Sequence, residues 1–163
     1  MTLRIFVLSS TILFLAACAK EPAEPSTAPE QSEATVEVAA EPAALPRTAS
    51  AEGASVFFIT PADGETVGSP VQIEFGIKGM DVVKAGISQP HSGHHHLLID
   101  TDLPDLGLPV PADEHHIHFG DGSTSTEISL PPGEHTLQML LGDHLHIPHD
   151  PPLVSDPLTI TVE

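Results

Sequence analysis

All eleven histidines of this 163-residue chain lie beyond residue 90. They form three groups: His91, His94, His95 and His96; His115, His116 and His118; His144, His146 and His149, with His135 apart. Imidazole nitrogen suits Zn, Cu, Ni and Fe. In extended chain, residues i and i+2 share a face, about 6.6 Å apart. His94 and His96 then point one way and His95 the other. His116 and His118 share a face, as do His144 and His146 if that segment is extended. Each H-x-H pair offers two imidazoles to one ion at about 2.0–2.1 Å. The candidate metal ligands are therefore His94, His96, His116, His118, His144 and His146, with His149 and His91 in reserve. Asp113, Asp143 and Asp150 stand close in sequence, where a carboxylate can ligate or orient a ring. Beyond the initiator, Met80 and Met139 are the only methionines. That is too few for a Met-rich Cu(I) site and leaves Cu²⁺ or Zn²⁺ as the expected ion.

Other chemistry finds less support. The zinc-protease pattern H-E-x-x-H is absent, and no nucleophile-elbow sequence accompanies the serines. Asp100-Thr-Asp102-Leu-Pro-Asp105 lacks the Gly and distal Glu of a calcium loop. Asp121, in Phe-Gly-Asp-Gly, reads as a turn residue. Three functions remain: a metal-binding module, a metal-dependent enzyme with Glu114 as a nearby acid or base, and a structural or interaction module whose histidines bond internally. A pH sensor is a further reading, since protonating all eleven would move the formal charge from −18 to −7.

The elements that must position these residues are strands. Ser55–Thr60 is a short apolar run ending in the turn Pro61-Ala-Asp-Gly64. Val71, Ile73, Phe75 and Ile77 alternate with polar or small residues. Residues 94–100, 117–119, 124–130, 135–141 and 158–162 read as further strands, and no segment carries a sustained helical period. Seven or so short strands with Gly/Pro turns predict an all-β, immunoglobulin-like sandwich over residues 54–163. Ile59 to Val67 resembles the first strand and turn of bacterial immunoglobulin-like domains. Pro132-Gly-Glu-His-Thr-Leu137 resembles the corner where such sandwiches carry a Tyr bonded back to the backbone. This chain has no Tyr, and His135 takes that place as a structural residue.

The N-terminus supplies an address. Arg4 precedes an apolar run from Ile5 to Ala17, too short to span a bilayer and suited to a signal peptide over residues 1–17. Leu15-Ala16-Ala17-Cys18 resembles the lipobox of bacterial lipoproteins, in which the cysteine is lipidated. Ala19 does not resemble a retention signal of the inner membrane, so the expected place is the outer membrane, facing the periplasm. Cys18 is the sole cysteine, so neither a disulfide nor a thiolate site remains for the folded part. Residues 18–53, rich in Ala, Glu, Pro, Ser and Thr, read as a disordered tether. Without Arg4, four of the five basic residues remain against twenty-three acidic ones. That balance disfavours nucleic acid and anionic substrates, and favours cations. An envelope protein remains an open partner.

Four blocks also resemble a family. Gly93-His-His-His-Leu-Leu-Ile-Asp100, His118-Phe-Gly-Asp-Gly-Ser-Thr124, Pro132-Gly-Glu-His-Thr-Leu-Gln-Met139 and Gly142-Asp-His-Leu-His-Ile-Pro-His-Asp-Pro-Pro152 are similar to the signature blocks of the bacterial family termed domain of unknown function 4399. The resemblance runs from about Ser55 to Glu163. It implies export from the cell but no particular chemistry.

Overall fold

The computed structural model describes residues 45–163. The expected signal peptide, Cys18 and the expected tether as far as residue 44 lie outside the described residues. The described chain is all-β, with nine strands and no helix. β1 (Ser55–Thr60) pairs antiparallel with β3 (Val71–Lys78), and β3 with β7 (Ser125–Ile128). The second sheet runs β2 (Glu65–Val67), β9 (Leu158–Val162), β8 (Gly133–Gly142), β5 (Ser92–Ile99) and β4 (Asp81–Val82), with β6 (His116–His118) also paired to β5. Placing β3 and β7 in one sheet and β9, β8 and β5 in the other is the two-sheet division of immunoglobulin-like sandwiches. Two strands exceed the expected seven. β2 and β4 are three and two residues long, pair in parallel, and carry no alternation to read.

The period-two pattern decides the core. Val71, Ile73 and Phe75 face inward from one sheet; Leu97, Ile99, Leu137, Met139, Leu141, Ile160 and Val162 face them from the other. Burying side chains of this kind stabilises by about 1.5–3 kcal/mol each before the entropy of ordering them is counted. The second sheet is covered on its outer face as well. There Leu98 and Leu140 form a smaller cluster with Val110, against which Leu106 and Val154 pack. All eight residues of β5 are therefore buried. Its even positions, which include His94 and His96, lie between the sheet and its covering loops.

Residues 45–53 do not behave as tether. Ala49 bridges Asp150, Arg47 donates to the carbonyls of Pro148 and His149, and Ala51 packs on the core. The folded part thus begins before residue 54. This segment orders through polar and backbone contacts, which leave no hydrophobic period in the sequence.

His135 fills the structural role expected of it. Its Nε2 donates to the Pro131 carbonyl at 2.9 Å, four residues upstream, and its Nδ1 donates to Asp100 Oδ2 at 2.7 Å. Asp100 also accepts from the Thr136 amide at 2.8 Å, tying the end of β5 to the start of β8. Two donated bonds require the imidazolium, and the Asp100 hydrogen bond raises the His135 pKa accordingly. Asp100→Asn keeps a residue suited to the left-handed backbone there (φ 53) but removes the charge. Because Asp100 is partly open to solvent, the expected loss is about 1–2 kcal/mol in urea unfolding.

Candidate metal centre

β5 supplies the first two rings of the centre. His94 and His96 leave its outer face, as i,i+2 spacing requires, and are 0% and 1% exposed. Their Nε2 atoms lie 3.2 Å apart. The third ring comes through register, since β6 places His118 directly across from His96. Ligand-capable nitrogens of His94, His96 and His118 all lie within 4.8 Å of one another. Among the described residues this is the one such group of three.

A fourth ring arrives from a loop. Residues 143–149 do not continue as a strand, so His144 and His146 do not share a face. Buried Asp143 accepts from the amides of Leu145 at 2.8 Å and Ile147 at 3.0 Å, and its own amide donates to the Ile147 carbonyl. The tight loop holds His146 at φ 67, a conformation that His tolerates better than most residues. The His146 ring centroid then sits 4.9 Å from His94, 4.7 Å from His118 and 6.0 Å from His96. The other three pairs are 4.9, 4.9 and 5.1 Å apart. Four imidazoles on one tetrahedral ion, bonded at 2.0–2.1 Å, would have centroids about 5.2 Å apart and nitrogens about 3.3 Å apart. The His94, His96 and His118 rings, at 4.9 to 5.1 Å, come close to that spacing, and His146, at 4.7 to 6.0 Å, stands less evenly beside them.

Electrostatics keep the rings of His94, His96 and His118 neutral at pH 7. Burial, then the neighbouring His118 and His146, bring the His94 pKa down to about 4. Burial and the other three rings bring His96 to about 2. His118 is lowered by burial and by His146. Neutral imidazole is the form that binds metal. The Nδ1 atoms of His94 and His96 are enclosed without a protein partner. His135, by contrast, uses both its nitrogens and His115 Nδ1 bonds the Ile99 carbonyl, whereas the core ring of His95 is also enclosed without a partner.

The remaining sequence candidates fall outside this group. His116 points to the same face as His118 but lies opposite Leu98, two pairings further along β5. Its Nδ1 is held by Asp113 at 2.8 Å. His149 is buried against Thr48 Oγ1 at 2.7 Å, and Thr48 also donates to Asp143. His144 stands beside Asp143 and, with His91 and His149, lines a separate cavity. Of the candidate carboxylates, Asp113 orients a ring, Asp143 builds the loop, and Asp150 pairs with Arg47 at 3.6 Å. His95 takes the opposite face and packs edge-on to Phe75 in the core at 4.7 Å.

Two glycines leave space for the rings. A Cβ on Gly142 would meet His96 Nε2 at 2.8 Å, and one on Gly120 would strike the His118 ring. Sequence reading did not single these out, although each stands in a quoted block. Gly142→Ala should displace His96 and weaken metal binding about tenfold, equivalent to about 1.4 kcal/mol, as calorimetry would show.

Neither curated proteins nor solved structures give a match to this chain. Residues 73–163, more than half of the chain and including all four rings, match one family model. The chain therefore belongs to the family described as domain of unknown function (DUF4399).

Proposed function

We propose that this domain binds a transition-metal ion, Cu²⁺ or Zn²⁺, through His94, His96, His118 and His146, and serves metal handling in the bacterial cell envelope. The carrying observation is the convergence of His94, His96 and His118, whose ligand nitrogens all lie within 4.8 Å of one another, with the His146 ring beside them at 4.7 to 6.0 Å. The Nε2 atoms of His94 and His96 face each other at 3.2 Å, close to the separation of two nitrogens bonded to one ion. An all-nitrogen set suits Cu and Zn, and the acidic chain, at −18, attracts cations. The lipobox-like Leu15-Ala-Ala-Cys18 supports anchoring through Cys18, with the domain in the periplasm.

Full-length protein in detergent, stripped with chelator and titrated with Cu²⁺ and Zn²⁺ in a calorimeter, tests the metal reading. A single equivalent bound with Kd of about 1 μM or tighter is expected, corresponding to about 8 kcal/mol. Weaker binding of both ions would refute it. Fractionation of cells carrying Cys18→Ser tests the anchor, which predicts release of the protein from membranes.

A further inference from the structure

We infer that an ion in this centre accepts a fifth ligand beyond its four imidazoles, on the side facing a cavity beneath the β5–β6 loop, and that this position takes a small donor molecule from solution. The inference rests on the metal reading above and adds the class of ligand to it. The cavity, of about 210 Å³, has His96, His118 and His146 on one side and residues Pro109 to Ala112 on the other. His94, fully buried, is not part of its lining and closes the far side of the cluster. His118 is exposed, so the opening reaches solvent.

The loop wall is built to keep its shape. Val110 is buried against Leu98 and Leu140, and its amide donates to the His146 carbonyl at 2.9 Å. Pro109 and Pro111 flank it and fix the backbone angle at their own positions. The cavity is therefore formed without a ligand. It is smaller than the pockets of drug-sized molecules, which take about 300–1,000 Å³, and has room for roughly seven waters. No carboxylate, lysine or arginine lines it. Selection would rest on size and on bonding to the ion. The fitting class is a Lewis base of a few heavy atoms, neutral or singly charged.

Azide added to the Cu²⁺-loaded, full-length protein tests this by visible absorption and electron paramagnetic resonance. A new charge-transfer band and altered copper parameters are expected. Ala112→Trp, which adds bulk on the loop wall, should bind Cu²⁺ as the parent does but weaken the azide response about tenfold, or about 1.4 kcal/mol. Copper binding with spectra unmoved by saturating azide overturns the open position and leaves the metal reading standing. Failure to bind copper overturns both. A full azide response in folded Ala112→Trp overturns the assignment to this cavity.

Discussion

Replacing His94 and His96 together by Leu should abolish metal binding and, in the same protein, raise the stability of the metal-free domain. The two effects have one cause. Both rings are buried, their Nε2 atoms touch only each other at 3.2 Å, and their Nδ1 atoms have no protein partner. Each enclosed, unsatisfied polar atom costs about 1–3 kcal/mol, and replacing both partners of a buried pair by apolar groups of similar shape is neutral or stabilising. Leu is close to His in volume, and Leu98 and Leu140 already line that face. A gain of about 1–3 kcal/mol in urea unfolding of the stripped protein is expected. Affinity for Cu²⁺ or Zn²⁺ should fall by at least about 100-fold, or about 2.7 kcal/mol. The single variant His96→Leu should gain less stability, because it leaves His94 Nε2 without a partner. A double variant much less stable than its parent would make the cluster a structural element. A double variant that still binds metal would place the centre elsewhere.

Legibility in the sequence followed the range of the interactions. Alternation in Val71–Ile77 and His135–Leu141 gave the sandwich because it reflects one buried face per strand. The same rule placed His94 and His96 together and His95 opposite. What joins His118 to them is cross-strand register, His96 against His118, and no local pattern encodes register. Hence His116 and His118 are equal as sequence candidates, although the His116 residue lies two pairings beyond the cluster. His146 escaped the extended-chain rule because Asp143 folds its segment into a loop. Arg47 and Thr48 read as tether because their ordering depends on hydrogen bonds to residues about a hundred positions away. The left-handed backbone at His146 and the missing Cβ atoms at Gly120 and Gly142 fit a sequence that departs from local preference where a site is assembled.

Acidification should unfold the metal-free domain well before its carboxylates titrate, and bound metal should oppose this. His94 and His95 ionise near 4 in the folded protein, against 6.5 when unfolded, and His96, His118 and His149 are also lowered, each chiefly by burial. For a group whose folded pKa is depressed, the unfolded chain binds the extra proton. Stability is then whole above about pH 6.5 and is lost as pH falls toward the folded value. At 1.36 kcal/mol per unit, His94 and His95 alone would remove several kcal/mol by pH 4, a large part of the 5–15 kcal/mol typical of a domain. His135 acts with the opposite sign, since its raised pKa gives stability present below about pH 6.5 and lost above its folded value. One such group does not offset five. A circular-dichroism titration of the stripped protein should show unfolding between about pH 4 and 6. Saturating Zn²⁺ should move the midpoint down, because metal and proton compete for the same nitrogens, and a chelator should restore it. The His94→Leu/His96→Leu double variant should also unfold at lower pH, with no response to zinc, having lost two of the linked protons. A stripped parent whose unfolding free energy stays constant between about pH 6.5 and 4 would show that these pKa values are not depressed, and the neutral cluster on which metal binding depends would not exist.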